Sequence, residues 1–251
     1  MLRFRWVLLF LTPGCVTYTF TPPLRAVALE SPAVLSRGET AVVADGAWHV
    51  TTREVGIETG SIRARRGLPH GFEGTLESSF THYDAIHVAE AALRIGLKKC
   101  IAKQAARWTT FDDCWLALIG GAGGGIFDGG GVVGGDVGLI LGYENPYVVP
   151  FLGARFTATV PTGPRSVYDG DSCAAVSVVN PGQPCGPAYN EPRPTFGLGA
   201  LAGFRVPIVP GAPVRRLPRS SVLVGVQLTD FFDLDKSEVA LAFTGGVEVV
   251  F

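Results

Sequence analysis

Two histidines and an aspartate lie close together in the sequence, at His82, Asp84 and His87. An imidazole beside a carboxylate can act as a general base with its orienting partner, and the same groups can bind a metal ion. These residues fall in a link between two segments with strand-like patterns, and they match no enzyme motif. We therefore interpret them as solvated loop residues, with His82 and Asp84 kept as the candidates for a catalytic site.

Glycine is concentrated between Gly120 and Gly142, with twelve glycines in 23 positions. Within this stretch Gly129, Gly131 and Gly134 match the GxGxxG spacing of a dinucleotide-binding turn. That motif needs a strand before it and a helix after it, because the helix N-terminus binds the pyrophosphate. An alternating, strand-like segment follows instead. The stretch is thus expected to form a glycine-rich hairpin loop, and no cofactor is predicted.

Four of the five cysteines form two pairs that are local in sequence, Cys100 with Cys114 and Cys173 with Cys185. In an oxidising compartment such pairs are expected to form disulfides, each contributing roughly 3 kcal/mol in the chain-entropy model. A zinc site is disfavoured because no CxxC or histidine spacing accompanies the cysteines. The fifth cysteine, Cys15, follows an N-terminal apolar run.

The N-terminus has the pattern of an export signal. Arg3 and Arg5 precede the apolar run Trp6–Leu11, and six apolar residues are too few to cross a bilayer as a helix. The sequence before Cys15 resembles a bacterial lipoprotein signal, in which the cysteine becomes the acylated first residue. It departs from that pattern because Thr12 stands where leucine is usual.

A second cleavage point lies after Ala26-Val27-Ala28, and it would remove Cys15 altogether. Both possibilities remain open. Residues 1–28 are assigned to the export signal and its linker, residues 29–39 to a further linker and residues 40–251 to one domain.

The composition is apolar without a long apolar run. Charged residues make up 17% of the 251 residues, the net charge is -1 and the mean hydropathy is +0.30. Soluble domains usually carry about a quarter charged residues. The near-neutral charge gives no basic surface for nucleic acid, so no nucleic-acid partner is predicted.

From about residue 40 the apolar residues alternate with period two, which is typical of strands with one apolar face. In the last segment Val239, Leu241, Phe243, Val247 and Phe251 share one face. Ten segments show the pattern, the first two less clearly than the rest: Thr40–Val50, Gly56–Arg65, Gly71–Phe80, Val88–Lys98, Cys114–Gly124, Val133–Tyr143, Val148–Val160, Phe196–Val206, Ser221–Thr229 and Glu238–Phe251.

The segments are long, and the links between them roughly alternate between long and short. Strands that cross a bilayer need about 9–11 residues, whereas strands of globular proteins average five or six. The long link Pro161–Pro194 contrasts with the short turns Gly67–His70 and Glu144–Tyr147, although Pro207–Ser220 and the Cys100–Cys114 link are longer than an inner turn should be. These features predict an all-β, antiparallel, up-and-down transmembrane barrel of about ten strands. Eight strands are possible if the first two segments form a periplasmic extension.

The face opposite the apolar one is rich in glycine and carries charges of both signs. In a narrow barrel this face would line the lumen, where buried charges need partners. Six acidic and six basic residues are predicted to pair there: Asp45, Glu73, Glu77, Glu90, Asp136 and Glu248 with Arg63, Arg65, Arg94, Lys98, Arg155 and Arg205.

The chain resembles the small outer-membrane β-barrel proteins of Gram-negative bacteria. The resemblance rests on the alternating segments and on the last strand, which ends at Phe251 in phase with the apolar face. It implies an outer-membrane location in contact with lipid, and recognition of the last strand by the outer-membrane assembly machinery. It implies no particular activity.

Several functions remain open at this level. The preferred hypothesis is a non-enzymatic envelope protein with a closed or poorly conducting lumen, whose loops contact a partner outside the cell. The alternatives are a small passive pore, a rim enzyme centred on His82 and Asp84 that acts on lipid or peptide, and a soluble exported barrel or sandwich that binds a small ligand.

Overall fold

The structure is a computed structural model, and it describes residues 29–51, 56–83, 88–103, 114–127, 130–143, 147–162, 194–208, 219–232 and 237–251. Ten antiparallel strands make up almost all of these residues. They are β1 (Thr40–Thr51), β2 (Gly56–Gly67), β3 (Phe72–Tyr83), β4 (Val88–Lys103), β5 (Cys114–Phe127), β6 (Gly130–Gly142), β7 (Val149–Thr162), β8 (Thr195–Pro207), β9 (Arg219–Phe232) and β10 (Ser237–Val250).

Each strand pairs with its neighbours in the sequence, and β1 pairs with β10, so the sheet closes into a barrel. The closing seam runs from Ala41 opposite Val250 to Thr51 opposite Ala240. At its end the backbones of Thr40 and Phe251 exchange two hydrogen bonds, at 2.8 and 3.1 Å. Closure leaves no unpaired sheet edge, which satisfies the backbone polar groups that an open sheet would expose.

The predicted ten-stranded, up-and-down barrel is confirmed, and the alternative of eight strands is wrong. The two less clear segments form β1 and β2, which carry the closing seam to β10. The short turn predicted after β2 contains a 3-10 turn at Pro69–Gly71, in which His70 and Gly71 have positive φ angles of 61° and 72°. Among the described residues, no helix is long and apolar enough to cross a membrane.

The glycine-rich stretch differs from the expected loop, because most of it lies within the paired strands β5 and β6. Close packing explains the choice of glycine there. A Cβ added at Gly123 would lie within 2.8 Å of the Cα of Arg94, and one at Gly125 within 2.8 Å of the carbonyl oxygen of Ala91. These strands pack too tightly for larger residues at such positions.

The two faces of the sheet differ sharply in composition. Large aliphatic and aromatic side chains lie on the outside, with Ile95 66% exposed and Leu93 62% exposed. Charged side chains lie on the inside, where Arg63 and Glu73 are fully buried. We call the end of the barrel where β1 begins and β10 ends the terminal rim, and the opposite end the distal rim.

Candidate functional site

The lumen is the candidate site, because the structure places all twelve predicted lumen charges on inward-facing positions of the strands. Nine of them are buried, and Asp45, Asp136 and Arg205 are partly buried. The inward positions follow directly from the period of two, since each of these residues is in phase with its strand's inner face.

A first group of ion pairs, the rim network, lies near the terminal rim and comprises Arg65, Glu73, Lys98, Arg205 and Glu248. Arg65 donates from Nε and Nη2 to the two carboxylate oxygens of Glu73, at 2.7 and 2.9 Å. Its Nη1 donates to Glu248, which also accepts from Arg205 at 3.4 Å. The Nζ of Lys98 lies 3.3 Å from Glu73. These contacts offset the cost of burying the charges.

A second group, the central network, lies deeper and comprises Glu77, Arg94, Asp136 and Arg155. Arg94 donates from Nε and Nη2 to both oxygens of Asp136, at 2.6 and 2.8 Å. Arg155 donates to the same carboxylate at 3.1 Å, and Glu77 lies 3.7 Å from Arg94. These side chains come from β3, β4, β6 and β7, and Arg94 of β4 reaches past β5 to Asp136 of β6, so the network joins strands that are not neighbours.

Glycine makes room for the central network. A Cβ at Gly96 would lie 2.6 Å from Nη1 of Arg94, and one at Gly121 would overlap the same guanidinium. The absence of side chains at these two inward positions therefore lets Arg94 lie across the wall of the barrel and reach Asp136.

The chain before β1 also occupies the lumen. Part of the predicted linker at residues 29–39 lies inside the barrel, where residues 29–32 and 35 are buried. We call residues 29–35 the inserted segment. The sequence does not predict this segment, because the segment has no alternating pattern. Its insertion also depends on a lumen that exists only once the sheet has closed.

Cationic side chains of the wall hold the backbone of the inserted segment. Lys98 donates to the carbonyl oxygen of Ser31 at 3.3 Å, and Arg65 to that of Ala33 at 3.4 Å. At the rim side the backbone N–H of Leu35 donates to Glu73 at 3.0 Å. The same residues thus form the rim network and satisfy buried backbone groups of the inserted segment.

Arg63 links the innermost part of the inserted segment to the wall. It donates from Nη2 to the carbonyl oxygen of Leu29 at 2.9 Å, and it pairs with Asp45 and, at 3.5 Å, with Glu30. Asp45 accepts a further hydrogen bond from Ser61. Glu30 is a lumen charge that the sequence analysis missed, because it lies outside every alternating segment.

The side chain of Leu29 anchors the inserted segment in an apolar cluster. It is 1% exposed and packs with residues from both sides of the lumen: Val43, Ile119, Ile140, Phe151 and Leu223. Glycines again provide space, since a Cβ at Gly225 would lie 2.7 Å from Leu29 and one at Gly142 2.7 Å from Pro32. Glycine at these inward positions is the sequence signal that could have indicated an insert.

Little space remains around the central network. The cavity bordered by Arg94, Asp136 and Arg155 has a volume of about 10 Å³, which is the space of a single water molecule. Among the described residues no group of three or more histidine, cysteine or acidic residues could hold a metal ion. The space among these three side chains is thus no larger than one water molecule.

Some of the other predicted site residues lie in the described parts of the chain and others lie outside them. His82 lies in β3 on the outward face near the distal rim, opposite Glu58 of β2. Cys100 and Cys114 form a disulfide that joins the end of β4 to the start of β5. Asp84 and His87 lie outside the described residues, as do the lipidation candidate Cys15 and the second predicted pair, Cys173 and Cys185.

The outer surface carries an apolar groove near the terminal rim, with a volume of about 930 Å³. Aromatic side chains from four strands or their ends border it: Trp115, Tyr143, Phe204 and Phe243. Between them lie small or branched outward residues such as Ala202 and Val224. The groove is almost wholly apolar.

Several solved structures are similar to the chain at low sequence identity. Neisserial surface protein A is 12% identical with a TM-score of 0.37, covering 84% of this chain and 95% of that one. The N-terminal β-barrel domain of Pseudomonas aeruginosa OprF is 11% identical with a TM-score of 0.37, covering 86% and 100%. The β domain of the Bordetella autotransporter BrkA is 10% identical with a TM-score of 0.47, covering 85% and 99%. No protein-family model and no curated protein sequence matches the chain.

Proposed function

We propose that this protein is a closed, non-conducting β-barrel of the Gram-negative outer membrane, with a non-enzymatic role in the envelope. The observation that carries the proposal is the filled lumen within an uncharged outer belt. An apolar outside and a charged, paired inside reverse the arrangement of a water-soluble barrel, whose core is apolar.

The height of the outer belt is close to that of the apolar band of a membrane barrel. On β2 the exposed outward charges are Glu58 near the distal rim and Arg66 near the terminal rim. Eight residues at a rise of about 3.3 Å separate them by roughly 26 Å along the strand, or about 20 Å after a tilt of about 40°. Of the described outward residues between the rims, none is charged. Membrane barrels have an apolar band about 25 Å tall.

Aromatic residues flank the belt as they do at membrane interfaces. Near the distal rim the outward rings of Phe156, Phe196 and Phe232 stack across three strands, with centroids 6.1 and 5.9 Å apart. Near the terminal rim Lys99 lies 4.3 Å above the ring of Phe72. Aromatic and cationic groups favour the headgroup region, which supports a membrane location. An acyl chain in the groove beside Trp115 would complete the lipid contact.

The filled lumen favours a closed barrel over the alternative of a passive pore. A conducting pore needs a continuous water path, and a selective one usually carries a ring of one charge sign. Here Arg94 and Arg155 are both paired to Asp136, and the inserted segment occupies the lumen towards the terminal rim. Opening a path would break the hydrogen bonds that Arg63, Arg65 and Lys98 donate to this segment.

The last strand supports delivery by the outer-membrane assembly machinery. β10 presents Leu241, Phe243 and Val247 outward, and Phe251 at its end is 57% exposed. This strand also closes the barrel against β1, so its recognition before closure would leave the rest of the sheet free to fold. The distal rim would then face outward, where the link between β7 and β8 is the candidate for contact with an external partner.

Cell fractionation and single-channel recording test the two parts of this proposal. The protein is expected in the outer-membrane fraction of a Gram-negative host, and planar bilayers with the purified protein should show no defined conductance steps. Reproducible steps would overturn the closed barrel in favour of the pore. Recovery of the mature protein in the soluble periplasmic fraction would overturn the membrane location.

A further inference from the structure

The inserted segment contacts two chemically different sides of the lumen. Its hydrogen bonds to the wall come from three neighbouring strands, β2, β3 and β4, through Arg63, Arg65, Glu73 and Lys98. The apolar cluster around Leu29 is built from other strands, namely β1, β5, β6, β7 and β9. This part of the lumen therefore has one charged side and one apolar side, with the segment between them.

The charged side binds main-chain atoms of the segment. The carbonyl oxygens of three alternate residues, Leu29, Ser31 and Ala33, accept hydrogen bonds from the three cations at 2.9, 3.3 and 3.4 Å. The backbone N–H of Leu35 donates to Glu73 at 3.0 Å. Every residue carries a backbone carbonyl, and every residue except proline carries a backbone N–H. These four contacts therefore place little demand on the side chains of the bound segment.

The charged groups that hold the segment also have partners in the wall. Arg63 pairs with Asp45, and Arg65 binds Glu73 through two hydrogen bonds. The Nζ of Lys98 lies 3.3 Å from the same carboxylate of Glu73. These pairs need no contribution from the inserted segment. The site is therefore preformed by the wall, and a preformed site loses less free energy in ordering when a ligand binds.

Glycines of the wall leave room for a passing backbone. A Cβ at Gly67 would overlap the carbonyl oxygen of Ser36, and the three atoms nearest to it all belong to Leu35 and Ser36. A Cβ at Gly142 would lie 2.7 Å from Cγ and 2.8 Å from Cδ of Pro32. Neither glycine is among the described residues with a positive φ angle. The close approach of the inserted segment therefore explains why glycine is needed at position 67 and contributes to the need for it at position 142.

Two side chains of the segment give the site its selectivity. Leu29 fills the apolar cluster, and the carboxylate of Glu30 lies 3.5 Å from Nη1 of Arg63. Ala33 and Val34 are only half-buried, so other residues are tolerated there. The ligand that fits is a non-helical peptide in which a branched aliphatic residue is followed directly by an acidic one.

We infer that this part of the lumen is a peptide-binding site, and that a peptide segment of another protein can take the place of residues 29–35 in it. The partner's peptide would then close the barrel instead of the protein's own chain. The site itself does not depend on a membrane location. The proposed function adds only that the partner reaches the site from the periplasm, through the terminal rim.

Fluorescence anisotropy of a labelled peptide, with the full chain in detergent, tests the site. The probe is N-acetylated Leu-Glu-Ser-Pro-Ala-Val-Leu, the sequence of residues 29–35. The wild type should bind it weakly, because a tethered segment competes at an effective concentration of about 1 mM. Leu29→Asp places a carboxylate in the apolar cluster and displaces the tethered segment. We expect this variant to bind the probe roughly tenfold more tightly than the wild type, or better.

The matched control is Val34→Asp, the same substitution at a half-buried position of the segment, which should bind the probe as weakly as the wild type. Leu29→Ala is a milder change at the anchor, and it should shift the affinity in the same direction by a smaller factor. It takes the place of Leu29→Asp if that variant shows no unfolding transition. Equal affinities of the wild type and both Leu29 variants would overturn the inference.

Two altered peptides test what the site recognises. One has aspartate in place of its first leucine, and the other is the all-D enantiomer of the probe. Each should bind the Leu29→Asp variant roughly tenfold more weakly than the probe does, because the first lacks the apolar anchor and the second presents its carbonyl groups in mirror-image positions. Equal binding of the all-D peptide would show unspecific apolar adhesion and overturn the inference. Specific binding by a protein recovered from the soluble fraction would support the site and contradict the membrane location.

Discussion

Arg65 of β2 and Glu73 of β3 form a bidentate ion pair inside the barrel, with donor–acceptor distances of 2.7 and 2.9 Å. The pair does two things at once. It crosses between neighbouring strands near the terminal rim, and each partner also holds the inserted segment, Arg65 through the carbonyl oxygen of Ala33 and Glu73 through the N–H of Leu35. Wall and insert therefore share their strongest polar contacts.

Removing one partner of this pair should destabilise the barrel strongly. Glu73→Leu leaves Arg65 and Lys98 buried beside an apolar side chain, and breaking such a pair costs about 3–5 kcal/mol in the free energy of unfolding. The double variant Arg65→Met/Glu73→Leu should lose less stability than the sum of the two single variants. In each single variant one buried charge has lost the other as its partner, whereas in the double variant both charges are gone. Urea unfolding followed by tryptophan fluorescence measures both.

The matched control for this prediction is Glu39→Leu at the rim. Glu39 pairs with Arg219 at 2.9 Å, but both side chains are partly exposed, and such pairs contribute about 0–1 kcal/mol. If Glu73→Leu were as mild as Glu39→Leu, the rim network would contribute little to stability.

Glycine at position 96 should be needed for the central network. Gly96→Ala places a Cβ 2.6 Å from Nη1 of Arg94 and would displace the guanidinium from Asp136. Overpacking of this kind costs about 1–3 kcal/mol. Gly60→Ala is the control, because a Cβ there meets nothing within 4 Å. The urea concentrations at the unfolding midpoints of the two variants check the prediction, and equal midpoints would contradict it.

The sequence predicted the strands and the inward phase of the charges because a period of two is a local property. Asp136 and Arg155 could be assigned to the lumen without knowing which residue each would contact. Their pairing with Arg94 could not be predicted, since it depends on the closure of the sheet and on the register of β4, β5 and β6. The inserted segment was missed for a related reason: its partners Arg63, Arg65 and Lys98 come together only in the closed barrel.

The disulfide between Cys100 and Cys114 should stabilise the terminal rim. The two residues are 14 positions apart with Cα atoms at 5.6 Å, and a loop of this size contributes roughly 3 kcal/mol in the chain-entropy model. The double variant Cys100→Ser/Cys114→Ser should unfold at a lower urea concentration than the oxidised wild type. Reductant should not lower the stability of the terminal rim in this variant any further. A wild type whose unfolding is insensitive to reductant and to this double substitution would contradict the prediction.

The outer belt can be tested with two identical substitutions on β4. Ile95 lies in the middle of the uncharged belt and Ile101 lies between Lys99 and Lys103 near the terminal rim; they are 66% and 53% exposed. In a bilayer Ile95→Arg should cost about 2–4 kcal/mol and Ile101→Arg about 0–1 kcal/mol. Unfolding of both variants in phospholipid vesicles measures the difference. In a water-soluble barrel both changes would be mild, because both side chains would already face water.

Removal of residues 29–35 should open the barrel. The deletion takes away Leu29 and the backbone groups that Arg63, Arg65 and Lys98 bind, which leaves these cations facing water in the space towards the terminal rim. We expect conductance steps in planar bilayers from the deletion variant and none from the wild type. Replacing residues 29–35 by an equally long Gly/Ser segment is the control for chain length, and it should also conduct because it lacks the apolar anchor of Leu29.

If the deletion variant folds, as judged by its unfolding transition, and shows no conductance, then the central network of Arg94, Asp136 and Arg155 closes the lumen without the inserted segment. Adding Asp136→Ala to the deletion should in that case produce the conductance, since it removes the carboxylate that joins the two guanidinium groups.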